Sequence, residues 1–476
     1  MTRSRIFLFG GIILAGLLLF IFWGNKSPQP GPAAENVNLQ PIEEAYERIL
    51  QSSITAVNGE QLLEGALRGM TATLRDPYST YFSKTEAIAH HESLADERVG
   101  VGIEVMEKDG RFIVVSPLKE GPAEKAGVQP FDEIVQVDDV KMDGKSFGEL
   151  LSSIRGKEGT NVKLVVYRER EDKHYTFTMI RQSMEVITVK SKKLEQEEKS
   201  IGVVEISVFG EKTAEEWKKQ TQKLIKEGID GLLIDVRSNP GGYLGSVQQI
   251  ASSLLEPNKV FTYMQDPEGV LEPLTVATEK ETDYVKKMRN LPVVLLQNSG
   301  SASASEVLAG AIQGNDRGII AGTTSFGKGT VQETWKLSNG GEVKLSSHRW
   351  LTPERKWIHG KGIKVDLEVE QPALFELRVN PATSTSELGD FNEDVAYAQK
   401  VLNAFGEDSL REDGFFDGQT KQAVVTFMHK RGKSSSGKMD IDFYTVLHQE
   451  ISKFQADKAN DKQAQMAIGY LFHVLK

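Results

Sequence analysis

The 476-residue chain reads as a multidomain α/β protein, and three stretches carry that reading. Val293-Val-Leu-Leu-Gln297 is a short apolar run, a buried strand; after a small-residue turn, Val307, Leu308, Ala311 and Ile312 follow at helical spacing. Residues 97–170 instead string together strand-like runs, VGVGIEV (99–105), FIVVSP (112–117), DEIVQVDD (132–139) and NVKLVVYRE (161–169). Only two helical stretches interrupt them, Ala123–Ala126 and Phe147–Ile154, so this region is β-rich α+β. Residues 391–450, with Val395, Ala398, Val401 and Leu402 at helical spacing, predict a small all-α module. The length leaves room for about three domains.

The elements follow in order from the amino terminus. Residues 6–23, IFLFGGIILAGLLLFIFW, form an uncharged run of 18 behind Arg3 and Arg5. That is short for a bilayer span and long for the apolar part of a signal peptide, and no A-x-A site follows at once. A cleaved signal peptide and an uncleaved anchor both stay open, the anchor being preferred. It would leave residues 1–5 in the cytoplasm and everything beyond Lys26 outside, a single-pass protein of the cell membrane. Residues 24–36, rich in Pro, Gly and Ala, read as a linker. From 37 to 96 the pattern is helical: Ile42, Ala45, Tyr46, Ile49 and Leu50 recur on one face, then Leu62, Leu63, Ala66, Leu67, Met70 and Leu74. The turn Asp76-Pro77-Tyr78-Ser79 interrupts it, and His90-His91 reads as a solvated helix end. Arg168, closing the last strand-like run, reads as a solvated charge, with a coupling of this module to the region that follows it as the alternative.

Composition removes several classes of function. A formal net charge of −10 argues against a nucleic-acid partner. The absence of cysteine excludes disulfides, a cysteine nucleophile and thiolate metal sites. The eight histidines show no metal-ligand spacing, so neither metal nor cofactor is expected.

Ser303 stands where the apolar strand turns into a helix. The first amides of a helix lack intrahelical partners and lie at the positive end of its dipole. A hydroxyl attacking a carbonyl there would meet ready-made donors for the oxyanion. Ser303-Ala-Ser-Glu306 also spells the capping box S-x-x-E, whose only task is to start a helix, and both readings stand. Lys328 lies between Gly327 and Gly329; Gln332, four residues on, shares its face if the segment is a strand. Lysine is a general base only when neutral. Lowering its pKa from about 10.4 to near 7 costs roughly 4–5 kcal/mol, which desolvation in an apolar, uncharged site can supply. Phe326 and Val331 suit such a site, and Gln332 can orient the amine without raising its pKa. A solvated lysine in a turn is the plainer alternative.

Taken together, S-A-S-A-S-E (301–306) and F-G-K-G-x-V-Q (326–332), with 25 residues from Ser303 to Lys328, resemble the C-terminal processing peptidases of family S41. These are serine endopeptidases with a Ser–Lys dyad supported by Gln. The resemblance implies Ser303 as nucleophile, Lys328 as base and Gln332 as the residue that orients it. DVRSNPGGYL (235–244) matches the family's D-L-R-x-N-x-G-G and implies an oxyanion hole between the amide of Gly241 or Gly242 and that of Ala304. The family's A-x-Q-D is not kept, since Gln313 precedes Gly314, so no catalytic carboxylate is assigned.

The run GPAEKAGVQPFDEIVQVDDV (121–140) resembles the core of a PDZ domain. That implies an edge strand, Ile103–Val105, to which a peptide's C-terminal segment adds, and a carboxylate-binding loop of Val99, Gly100, Val101 and Gly102. DPYSTYF (76–82) resembles the amino-terminal segment of the same peptidases, whose helices often mediate dimerisation; a homodimer is expected, and helices covering the enzyme's own core are the alternative. Residues 183–372 are then a mixed α/β peptidase core similar to the crotonase and Clp-protease folds, and 374–390 a linker. DGFFDGQTKQAVVTF (413–427) resembles a peptidoglycan-binding module, with Phe427-Met428 where F-Q is usual, leaving cell-wall binding and a helical spacer as alternatives. Residues 451–476 form an amphipathic helix expected to pack on the amino-terminal helices. The whole reads as a membrane-anchored, extracytoplasmic serine endopeptidase that takes partly unfolded or regulatory proteins by their C-terminal tails. The rival is an inactive PDZ scaffold tethered to the cell wall.

Overall fold

A computed structural model describes residues 38–94, 97–277, 282–375, 377, 380, 384–406 and 409–476. Segments 1–5, 6–23 and 24–36, and part of 374–390, lie outside the described residues. The chain divides after Thr73. In the first unit, helices Gln40–Ser52 and Gly59–Ala72 follow the predicted periodicity. Asn58 starts the second, its side chain accepting the N–H of Glu60 at 2.8 Å. Ile42, Tyr46, Ile49, Leu50, Leu63 and Met70 are exposed on these helices.

In the second unit, the peptidase core is a six-stranded sheet in the order Val189–Gln196, Lys199–Ile206, Gly231–Asp235, Val293–Gln297, Ile319–Gly322, Leu367–Glu368. Only the first pair is antiparallel; the rest are parallel. Parallel neighbours require crossovers, supplied by Thr213–Lys226, Leu244–Leu254, Asp283–Asn290 and Ala304–Gly314. Both faces are covered, which is why the central strands read as continuous apolar runs. Leu232, Ile234 and Leu295 point into the cluster with the crossover helices. Leu233, Val294 and Leu296 meet Ala467, Leu471 and Phe472 of the last helix, Lys462–Val474. The expectation for that helix is therefore corrected: periodicity marked an apolar face, and the face is buried on the sheet.

A five-stranded sheet joins Thr80–Phe82, Glu342–Leu351, Val260–Gln265 and Leu271–Thr275, with Thr330–Lys336 pairing to Glu342–Leu351. His90-His91 sits near the end of the helix Lys84–Leu94 with His91 exposed, as expected, though both rings also have protein partners. His90 stacks on Phe82 at 4.7 Å, and His91 Nε2 lies 2.8 Å from the buried Glu342 carboxylate.

The PDZ sheet runs Ile103–Lys108, Arg111–Pro117, Glu133–Val137, Asn161–Arg168, Lys173–Ile180, so it extends past residue 170 by one strand the sequence reading did not include. Alternation along Asn161–Arg168 puts Arg168 on the inward face with Val162, Leu164 and Val166. Arg168 is consequently buried rather than solvated, and its guanidinium donates to both carboxylate oxygens of Asp132, at 2.7 and 2.9 Å.

The helices Glu393–Ala404, Gly418–Lys430 and Ile441–Ala456 enclose a core including Val401, Phe416, Phe427 and Leu447. They touch the PDZ domain: Arg170 donates to Asp442 at 2.8 Å, Lys108 pairs with Asp394, and Phe131 stacks on His448 at 5.5 Å.

Candidate active site

Adjacent parallel strands Gly231–Asp235 and Val293–Gln297 deliver their carboxyl ends to one place, where ligands of open α/β sheets usually bind. Ser303 precedes the helix Ala304–Gly314 with φ 55° and ψ −113°, a sparsely populated conformation for a non-glycine residue. Its neighbours Ala302 and Ala304 are buried while Ser303 remains half-buried, so the turn lifts one hydroxyl toward the surface. Gly241 closes on this turn at φ 105°, where a Cβ would lie 2.8 Å from Ser303 Cβ and 2.9 Å from the Ala304 nitrogen. No side chain fits there.

Two fully buried residues lock these turns together. Asn239 accepts the N–H of Gly241 on its Oδ1 at 2.9 Å and donates to the Ile206 carbonyl at 2.8 Å. Its own carbonyl accepts from Ala302 N at 3.0 Å and Ser305 Oγ at 2.9 Å. The Gly241 amide is thus committed, whereas among the described residues the amides of Gly242 and Ala304 have no acceptor. Glu306 is the second lock. Its Oε2 accepts the N–H of Ser303 and of Lys328, each at 2.8 Å, and its Oε1 accepts Ser325 Oγ and Gly327 N, each at 2.6 Å. S-x-x-E is a local cap in part, yet most of its bonds reach across about 20 residues to the lysine turn.

Lys328 precedes the strand Thr330–Lys336, and the register shifts between Val331 and Gln332, so the shared-face argument for Lys328 and Gln332 does not hold. The flanking glycines explain the loop: a Cβ on Gly327 would meet the Lys361 and Gly362 nitrogens at 2.9 Å, and one on Gly329 the His359 nitrogen at 2.8 Å. The backbone of Lys328 is held at both ends, its N–H by Glu306 and its carbonyl by Trp350 Nε1 at 2.7 Å. Burial pushes its ammonium below the ordinary lysine value, Lys344 adds to that, and Asp76 and Glu306 oppose it. The ammonium lies 4.9 Å from the Tyr78 ring centre. Among the described residues no hydrogen bond joins Lys328 Nζ to Ser303 Oγ or to Gln332. Gln332 Nε2 donates to Thr330 Oγ1 at 3.0 Å and Ser346 Oγ at 3.2 Å. Ser346 N in turn donates to Ser79 Oγ, 3.0 Å, and Ser79 Oγ to Asp76, 2.5 Å, so the 76–79 turn reaches the same cluster.

In the PDZ domain, Val99 and Gly100 pair with Ser183 and Gln182, and Val101 is buried in the domain core. Gly102 takes φ 71°, with its carbonyl bonded to Leu118 N at 2.8 Å. Ile103 opens a strand that pairs on one side only, with Arg111–Pro117, among the described residues.

Fold and cluster define a serine peptidase bearing a PDZ domain. The model of peptidase family S41 matches residues 200–369 and that of the PDZ domain residues 99–179. An N-terminal domain of the activating protease CtpB matches 25–86, and a peptidoglycan binding domain 391–447. The chain is 37% identical over 434 residues to the carboxy-terminal processing protease CtpB of Bacillus subtilis (strain 168), covering 91% of this chain and 89% of that one. It is 34% identical over 465 residues to the carboxy-terminal processing protease CtpA of the same organism, covering 97% of each. The chain belongs to peptidase family S41 and is a carboxy-terminal processing serine protease with a PDZ domain.

The expected membrane location is corrected. Among the described residues no helix is long and apolar enough to cross a membrane, and residues 6–23, on which that expectation rested, lie outside them.

Proposed function

We propose that this protease cuts partly unfolded or regulatory proteins with Ser303 as nucleophile and Lys328 as general base. The observation that carries the assignment is the Glu306 carboxylate, which ties the backbone of Ser303 and of Lys328 to one oxygen. Ser303 Oγ attacks the scissile carbonyl carbon, and neutral Lys328 takes the hydroxyl proton and then delivers it to the leaving amine. The tetrahedral oxyanion lies between the amides of Gly242 and Ala304, chosen because that of Gly241 is already bonded to Asn239. Gln332 orients the amine once it turns toward Ser303. Substrates enter by their C-terminal tails, which add to the open edge of Ile103–Lys108 while amides of the Val99–Gly102 loop take the carboxylate. The exposed apolar face on Gln40–Ser52 and Gly59–Ala72 supports a homodimer, and the match at 391–447 supports contact with cell-wall peptidoglycan.

Casein hydrolysis by the full chain tests the chemistry. It should vanish in Ser303→Ala and in Lys328→Arg, because guanidinium cannot lose its proton near neutral pH. Substantial turnover by either variant would refute the dyad. Nothing observed favours an inactive scaffold.

A further inference from the structure

Lys328 is fixed in its backbone but not in its side chain. Both ends of its peptide are bonded, while its ammonium, resting 4.9 Å from the centre of the Tyr78 ring, makes no hydrogen bond to Ser303 or Gln332 among the described residues. The ring is itself well placed. Tyr78 N donates to Asp76 Oδ1 at 3.1 Å, and Ser79 of the same turn is bonded to Ser346 N. The next residues, Thr80–Phe82, pair with Lys344, Val343 and Glu342. The Tyr78 ring meets the His359 ring edge-on at 6.2 Å, and His359 lies flat on Trp357 at 5.2 Å. An aromatic face held this firmly attracts a cation and not a neutral amine.

We propose that the Tyr78 ring is the resting seat of the Lys328 ammonium, a positioning residue that retains the side chain while it is charged and releases it toward Ser303 when it is neutral. The proposal rests on reading Lys328 as the base for its catalytic consequence, though not for the seat itself. Ring and proton are then coupled: the seat favours the charged form, so it opposes the burial that would free the amine. The other titratable or charged groups facing Lys328 are Asp76, His90, Glu306, Lys344 and His359. Of these only His359 touches the Tyr78 ring, edge-on, and the fluorinated rings keep the shape of that contact.

The experiment varies the ring at constant size. Position 78 of the full chain is replaced by Phe, by 4-fluoro- and 3,4,5-trifluorophenylalanine, and by Leu. Two profiles are followed: the acid limb of kcat/KM, and, in a Ser303→Ala background, the pH dependence of Lys328 acylation by acetic anhydride, read by peptide mass. Tyr78→Phe should leave both profiles where Tyr78 has them. Progressive fluorination and Tyr78→Leu should move both to lower pH in that order, by ~0.5–1.5 units at the end of the series. An acylation profile that stays put through the series, or that moves as far with Phe as with Leu, overturns the seat, whatever happens to activity. If acylation shifts and the kinetic limb does not, the seat stands and Lys328 is not the base. Because the fluorinated variants keep the ring's shape, the test survives even if Tyr78→Leu fails to fold.

Discussion

The carboxylate of Glu306 accepts the backbone N–H of Lys328 at 2.8 Å from a position with no solvent exposure. Glu306 lies in the first turn of the helix that Ser303 starts, so a single side chain sets how far the lysine turn stands from the serine turn. A charge-assisted hydrogen bond contributes about 1.5–3 kcal/mol, and a buried donor left unpaired costs a similar amount. The ion therefore serves geometry as well as stability.

Glu306→Gln should expose that dependence. The amide keeps the shape, but its NH2 end faces backbone or hydroxyl donors and cannot accept from them. Losing about 3 kcal/mol of alignment corresponds to a roughly 100-fold fall in kcat. The expected pattern is that fall together with a preserved near-ultraviolet circular dichroism spectrum and a lowered melting temperature. Kinetics indistinguishable from the parent would mean that Glu306 only caps the helix.

Activity should rise with pH from neutrality upward. The base works deprotonated, and burial with Lys344 nearby holds Lys328 below the ordinary lysine value, so the rise begins below the range of a solvated lysine. Lys344→Met removes a neighbouring cation that disfavours the charged form. It should raise the proton affinity of Lys328 and move the acid limb of kcat/KM to higher pH. A shift to lower pH would contradict the sign of that interaction. A limb titrating near 6.5 and flat above about 7.5 would point to a histidine base.

How much of this was legible in the sequence follows the range of the forces involved. The Ser303 turn could be read because its signals are local: an apolar strand, small residues, then helical spacing. The setting of Lys328 could not, because Gly327 and Gly329 are required by the backbone of 359–362, about 30 residues or more away. Glu306 hid behind its own motif, since S-x-x-E already has a complete local explanation. Arg168 shows the reverse case. Strict alternation with Val162, Leu164 and Val166 placed it inside, and the preference of arginine for the surface obscured a pattern that was present.

Glycines 241 and 245 make a matched pair four residues apart. At Gly241, φ 105° and three atoms of the serine turn within 2.9 Å of a Cβ leave no room, so Gly241→Ala should push directly on Ser303. Activity should fall by at least about 100-fold, because an active-site displacement near 1 Å is enough for that loss. Gly245 lies in a helix with nothing within 4 Å of a Cβ. Gly245→Ala should instead leave turnover near the parent and stabilise by about 0.5–1 kcal/mol. Comparing kcat and melting temperature for the two variants checks both expectations, and an active Gly241→Ala would rule out the close approach of the two turns.

His448 predicts a pH-dependent contact between the PDZ domain and the carboxy-terminal helices. It is buried against Phe131, Tyr397 and Tyr444, and neither ring nitrogen has a hydrogen-bond partner among the described residues. Burial, with Lys108 nearby, pushes its pKa down to about 4. The unfolded chain takes up a proton near pH 6.5, which the folded chain resists until about pH 4. Stability is therefore fully present above about 6.5 and declines as the pH falls through that window, by up to about 3 kcal/mol. His448→Phe removes the proton site while keeping an aromatic ring against Phe131. Hydrogen exchange of Ile441–Ala456, corrected for intrinsic rates, should lose protection between pH 7 and 5 in the parent and much less in the variant. Equal losses in both proteins would mean that His448 is not buried as a neutral ring.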